Sequence, residues 1–319
     1  MSRPVVIAEV VRSGFVEGHH HGSVVALAAD GAVDWSVGDV TSPMLPRSCN
    51  KPLQAVGMVD LGLDLPPDLL ALACASHSGE PMHVDGARRI LEGAGLDDSA
   101  LQTPPDLPLD DDERDAWLRG GCGREPVAMN CSGKHAAMLV TCVVNGWDVK
   151  SYRDPEHPLQ RALADTFAGL TGEPVVATAV DGCGAPLFSA SLVGLARGFA
   201  ALATATEGSR HRVAQAIRAH PAMVSGTRRD ELVLLTAIPG SIGKAGAESC
   251  YAVALPDGRA FALKTDDGSM RARPVVMAAA LRRSGVDVEP GVDTEAVRST
   301  GVHHLMGGGE PVGVVRPVQ

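Results

Sequence analysis

The chain has 319 residues, 45% of them hydrophobic and 21% charged, which is enough apolar material for a sizeable core and speaks against disorder. Asp and Glu (38) outnumber Lys and Arg (28), and a net charge of −10 argues against nucleic acid or an anionic membrane surface as partner. The seven cysteines, an odd number in a large acidic chain, read as reduced thiols of a cytoplasmic protein; "MSRPVVIAEVVRSGFVEG" carries no signal-peptide pattern, and no apolar run reaches membrane-spanning length.

In chain order, "VVIAEVVR" and "SVVALAADGAVDWSVGD" predict strands, with Asp30-Gly31 as a hairpin turn. The middle of the chain reads as helical. "PDLLALACA" opens on Pro67 and Asp68, "MHVDGARRILEGAG" ends in glycine, and "SGKHAAMLVTCVVNG" starts at a Ser132 cap and stops at Asn145-Gly146. "TPPDLPLDDDERDAW" (103–117) reads as a solvated loop and helix start. "PLQRALADTFAGLTG", "PLFSASLVGLARGFAALATA", "RHRVAQAIRAH" and "PVVMAAALRRSG" have helical spacing. "CYAVALPDGRAFALK" predicts a second hairpin about Pro256-Asp257-Gly258, and "GEPVGVVRPV" a last strand. Strands at both ends with helices between them imply an α+β fold: one antiparallel sheet from the N- and C-terminal strands and a helical lobe, in a single domain over 1–319.

Five short stretches carry polar groups at the ends of apolar elements. In "PRSCNKPLQA" a serine, Ser48, stands three residues before Lys51, and on a helix those positions share a face. A hydroxyl attacks only when something takes its proton, and lysine takes it only as the neutral amine, a form favoured by burial and by nearby positive charge. Arg47 and a helix N-terminus both push that way, and Pro52 fits if the helix starts near Ser48, which would then be its cap. The bland alternative is a capped surface helix. "CASHSGE" (74–80) brings two serines, His77 and Glu80 out of a buried helix into a loop that turns at Gly79. Its bland reading leaves His77 and Glu80 in solvent, and solvent is where His83 is expected.

"MNCSGKHAAM" (129–138) sets Cys131, Lys134 and His135 ahead of an apolar helix. A thiolate and a basic nitrogen three or four residues apart can face one ion, or the cysteine can be a small core residue. The phosphate-loop pattern is absent, which excludes that kind of nucleotide site. "VDGCGAP" (180–186) flanks Cys183 with glycines beside Asp181, letting backbone approach a ligand. "LKTDDGS" (263–269) ends a strand at Lys264. "GHHHGS" (18–23) is rejected as a metal site, because alternate side chains of a strand point to opposite faces.

In this order and at these spacings, "RSCNKP", "CASHSGE", "NCSGKHAAM", "VDGCGAP" and "LKTDDGS" resemble the class 3 L-asparaginases, the thermolabile type II enzymes of the Rhizobium etli kind, over residues 8 to 315. The resemblance implies a fold like that of serine β-lactamases and glutaminases. It implies two serine–lysine pairs, Ser48 with Lys51 and Ser76 with Lys264, and a zinc-like ion on Cys131, Lys134 and Cys183. It gives Arg47, His135 and Asp181 to substrate binding and, from the habit of the family, a homodimer. Ala137 and His21 depart from the family's usual glycine and arginine.

The expected activity is hydrolysis of L-asparagine through an acyl-enzyme, with Ser48 preferred as nucleophile. Glutaminase activity stays open, since one methylene alters pocket fit only modestly. A β-lactamase-like or esterase reaction is weakened by the missing S-D-N and by "KTD" in place of K-T-G. The non-enzyme alternative is a cysteine-rich metal-binding module.

Overall fold

A computed structural model describes residues 4–318. In chain order the elements are β1 (Val6–Arg12), β2 (Phe15–Leu27), β3 (Val33–Val37), a 3-10 turn (Arg47–Asn50), α1 (Lys51–Asp60), α2 (Pro67–Ala73), α3 (Pro81–Glu92), α4 (Asp111–Arg119), α5 (Ser132–Val144), α6 (Pro158–Thr171), β4 (Thr178–Val180), β5 (Pro186–Phe188), α7 (Leu192–Ala203), α8 (Gly208–Ala219), α9 (Pro221–Val224), α10 (Asp230–Ala237), β6 (Ile242–Gly246), β7 (Cys250–Ala254), β8 (Ala260–Thr265), α11 (Ala272–Arg283), α12 (Thr294–Thr300), β9 (His303–Gly307) and β10 (Glu310–Pro317). The chain divides into two compact units. One comprises Met1–Cys49, Ala190–Thr204 and Val233–Gln319, the other Asn50–Ser189 and Ala205–Leu232. No helix among the described residues is long and apolar enough to cross a membrane.

The first unit is built on the antiparallel sheet expected from both chain ends, in the order β6-β7-β8-β2-β1-β10-β9, with β3 also on β2. β2 is long enough to serve three partners. Its first half pairs with β1, and its second half runs between β8 and β3, with Val24 opposite both Leu263 and Val37. β7 and β8 are buried almost throughout, so they read as continuous apolar runs instead of alternating ones. Their side chains still alternate in size. Tyr251, Val253, Phe261 and Leu263 join the core with Val275, Val276 and Leu281 of α11, while the intervening Ala252, Ala254, Ala260 and Ala262 are small. Each large apolar side chain removed from water in this way contributes about 1.5–3 kcal/mol before entropic costs.

The second unit is the helical lobe: α1 to α6, α8, α9 and the β4-β5 hairpin. α1 packs on α6 and α8, and α2 and α3 pack on α5. Gly57 lets α1 lie close to α6, since a Cβ there would come within 2.8 Å of Leu163 and 2.9 Å of Thr166.

Several local expectations need correction. α1 begins at Lys51, with Asn50 at its cap position and no side-chain cap bond; Ser48 lies in the 3-10 turn ahead of it and is not the cap. Pro52 nonetheless falls in the first turn, where its missing N–H costs nothing. Ser132 is the first residue of α5 and Cys131 occupies the cap position. The stretch from Pro186 opens as a strand, and the helix starts only at Leu192, capped by Ser191 accepting from the amide of Gly194. His83, expected in solvent, is buried; His77 and Glu80 are buried too, against their bland reading.

Candidate active site

The second unit gathers Lys51, Ser76, Cys131, Lys134, His135, Asp181 and Cys183 among its residues. Lys51, first residue of α1, is fully buried. Its Nζ lies 2.5 Å from the carbonyl oxygen of Ala75, 3.0 Å from Ser76 Oγ and 3.0 Å from Cys131 Sγ. The Ala75 oxygen can only accept. The Ser76 hydroxyl and the Cys131 thiol can each accept from the amine or donate to it. The contacts around Nζ include no carboxylate.

Ser76 is held from two sides. Its amide donates to the Val224 carbonyl at 3.1 Å, and that of Ser78 to the Ser225 carbonyl at 2.7 Å. Glu80 closes this strip, accepting from the amide of Thr227 at 2.7 Å and from its hydroxyl at 2.9 Å. Glycine is obligatory at 226, where φ is +141° and a Cβ would fall 2.0 Å from Ser78 Oγ. On the other side, the amide of His77 donates to Asn130 O at 3.0 Å and its ring Nε2 lies 2.9 Å from Ser132 Oγ. His77 therefore ties the Ser76 loop to the start of α5. That start also approaches α2 closely at Gly133, where a Cβ would meet Leu72 Cγ at 2.5 Å and Leu72 O at 2.8 Å.

Cys183 sits on the tight turn between β4 and β5, with Gly184 at φ +85° and Asp181 Oδ1 accepting from the Gly182 amide at 2.9 Å. Lys134 Nζ reaches Cys183 Sγ at 3.2 Å. His135 turns Nδ1 to the Tyr152 hydroxyl at 2.6 Å, and its buried Nε2 has no hydrogen-bond partner of good geometry. The charges order themselves around Cys183. A hydrogen bond from Cys131, then the Lys134 charge, hold the Cys183 thiol well below its ordinary range, and Cys131 as the donor is pushed up. Lys134 is raised by the cysteines and Asp181, against the penalty of burial. Burial lowers His77 and His135, and pushes Tyr152 up to about 12.

Arg47, Ser48 and Lys264 belong to the first unit. Arg47 has a left-handed backbone, φ +50°, and pairs with Glu248 at 3.4 Å; Glu248 and Ser249 are left-handed as well, at +55° and +54°. Such conformations in non-glycine residues cost about 1–3 kcal/mol each and persist where the surroundings over-determine them. Here the restraint is visible. β6 runs so near the turn that a Cβ on Gly246 would sit 3.1 Å from the Ser48 amide nitrogen, and the Cys49 thiol donates to Lys244 O at 3.0 Å. The Ser48 hydroxyl is nearly buried and makes no hydrogen bond among the described residues. Lys264, half-buried at the end of β8, donates to Thr265 O at 2.6 Å.

The hydroxyl that Lys51 meets is thus that of Ser76, a pairing that sequence spacing did not suggest. The strip 224–227 and the buried Lys244 of β6 also escaped the sequence reading. A Ser-Gly-Thr after an apolar helix end, and a lone lysine in "SIGKAG", were the available signals.

Among the described residues no group of three His, Cys, Asp or Glu side chains is gathered for a metal. The polar atoms that do converge are two sulfurs, the Lys134 amine and the His135 ring, which interacts with Cys183. Sulfur and nitrogen donors of this kind fit zinc far better than magnesium or calcium.

Among solved structures the chain is similar to a β-lactamase from Mycobacterium bovis, 17% identical, with 82% of this chain and 94% of that one covered and a TM-score of 0.46. It is similar also to a D-alanine carboxypeptidase from Burkholderia cenocepacia (14% identity, 83% and 93% covered, TM-score 0.38) and to a Bacillus glutaminase (10%, 83% and 91%, 0.35). No curated protein matches it by sequence. The chain is an amidohydrolase. It belongs to the L-asparaginase II family, which it matches over residues 8–317.

Proposed function

We propose that the protein hydrolyses L-asparagine to L-aspartate and ammonia on a serine whose proton is managed by Lys51, residues 1–319 acting as one catalytic domain. The observation that carries the reading is the fully buried Lys51 amine, 3.0 Å from Ser76 Oγ, with an obligate acceptor as a second neighbour. Ser48 attacks the side-chain amide carbon. Its hydroxyl is not committed to a hydrogen bond, and its turn is set by the left-handed Arg47. Lys51, three residues on, takes the Ser48 proton and passes it to Ser76 Oγ, which gives up its own to the leaving nitrogen, so that ammonia departs and not an amide anion. Amides of the 3-10 turn stabilise the oxyanion. Water then cleaves the aspartyl ester, with Lys51 as base, and Lys264 supports Ser76 as its second amine.

Arg47 is proposed to hold the substrate carboxylate, with His135 and Asp181 as its further contacts. Cys131, Lys134 and Cys183 are proposed to hold zinc, which when bound supplies positive charge that shapes the site. The protein is further proposed to be a cytoplasmic homodimer.

The test is ammonia release from asparagine and glutamine by the wild type and by Ser48→Ala, Ser76→Ala and Lys51→Met. Loss in all three, with asparagine preferred by the wild type, supports the reading. Near-normal turnover in both serine variants ends it.

A further inference from the structure

We propose that the first unit carries a second binding site, separate from the residues assigned to catalysis, for a small carboxylate with an apolar body such as a medium-chain or aromatic carboxylic acid. The sheet itself creates the space. β1 and β3 share one edge of β2, β1 along its first half and β3 along Val24–Leu27. Where they part, under the last turn of α11, a cavity of about 540 Å³ opens. That volume is within the range of small-molecule pockets, about 300–1,000 Å³. Its walls are apolar: Ile7, Val24, Val37, Val276 and Ala280.

The mouth has a different character. Arg282, Arg283 and Arg298 line it, and the lining holds one carboxylate, Asp287. Asp287 is committed to Arg298 at 3.1 Å. Two positive charges are left over in the lining of a protein whose net charge is −10. Neither Arg282 nor Arg283 has a carboxylate partner among the described residues.

Arg283 is also held in place. Its guanidinium lies 4.4 Å from the centroid of the Trp35 ring, and Trp35 is fixed by its Nε1–H donating to Ser284 Oγ at 2.9 Å. Stacking occupies the face of a guanidinium and leaves its in-plane N–H donors open, the ones that match a carboxylate. An apolar chamber with a positioned cation at its lip excludes asparagine, whose body is polar, and suits an amphipathic anion. Burial of the tail supplies affinity, and the arginines select the charge.

Calorimetric titration of octanoate into the full chain tests this, with octanol and acetate as controls. One saturable site is expected, with a Kd on the order of 0.1 mM, and binding about tenfold weaker for octanol. Arg282→Gln with Arg283→Gln should lose about tenfold for octanoate and little for octanol. Ala279→Phe, which fills the cavity from a partly exposed lining position, should abolish binding while asparagine turnover and melting temperature stay unchanged. No saturable binding by ~10 mM octanoate, equal affinity for octanol and octanoate, or undiminished binding in Ala279→Phe overturns the proposal. So does a solution mass that falls in Ala279→Phe without octanoate competing, since the cavity then faces another copy of the chain. Loss of turnover in Ser48→Ala leaves it untouched, so it stands or falls apart from the catalytic reading.

Discussion

Gly133→Ala adds one methyl where the start of α5 meets the end of α2. The new carbon would lie 2.5 Å from Leu72 Cγ and 2.8 Å from the Leu72 carbonyl oxygen. Carbon–oxygen contacts ordinarily begin near ~3.3 Å, and a carbonyl is backbone, so a rotamer change of Leu72 cannot relieve the clash. α5 must withdraw by roughly half an ångström or more. Overpacking of this kind costs about 1–3 kcal/mol, while alanine in place of a helical glycine returns about 1 kcal/mol. The net loss of stability should therefore be small, ~0–2 kcal/mol. Catalysis should suffer far more. Ala75 and Ser76 follow α2, Cys131 precedes α5, and Lys51 touches all three. Misplacement by a fraction of an ångström to 1 Å can cost up to about 10²-fold. Urea unfolding and steady-state ammonia release on the same preparation separate the two effects. A variant with a near-normal unfolding midpoint and kcat/KM reduced tenfold or more fits the geometry. Wild-type kcat/KM would show that the α2–α5 approach does not set the site, and the reasoning would be wrong.

Lys51→Met keeps the buried volume and removes the amine; kcat should fall about 10²–10⁴-fold with circular dichroism unchanged, and modest loss would remove Lys51 from proton transfer. Glu80→Gln sets an amide NH₂ against one of the two donors of Thr227 and should cost about 1–3 kcal/mol, read as a melting temperature lower by several degrees. His83 is held below its ordinary pKa mainly by burial. The unfolded chain then takes the proton first, so stability present above the ordinary value of 6.5 drains away as pH falls below it. The urea midpoint should fall between pH 7.5 and 5.5, and His83→Phe should flatten that fall. Cys183→Ala should lose the bound zinc counted by mass spectrometry in wild-type protein, with the fold retained.

The fold was legible because its signals are local and repeated. Asp30-Gly31 and Pro256-Asp257-Gly258 mark their hairpins, and Pro67, Pro81 and Pro158 stand in the first turns of α2, α3 and α6. β6 was not legible. "IGKAG" is fully buried yet carries a lysine and two glycines, because those glycines allow close approach to the Ser48 turn and to β7. The site was legible as motifs and not as contacts. Short motifs showed that Ser76, Cys131 and Cys183 emerge from buried elements. Which lysine meets Ser76 depends on how α1, the 74–80 loop and α5 pack, and side chains 25 and 80 residues from Lys51 in sequence settle that. The burial of His77, Glu80 and His83 goes with long-range partners that the helix end does not announce: Asn130 and Ser132 for His77, Thr227 for Glu80 and the Ala222 carbonyl for His83.

The most direct test is to trap the covalent intermediate. Asparagine mixed with wild-type enzyme and quenched in acid within the first turnover should leave one aspartyl ester, located by peptide mass spectrometry on Ser48 and absent from Ser48→Ala. An ester on Ser76, or turnover with no serine ever acylated, would contradict the account.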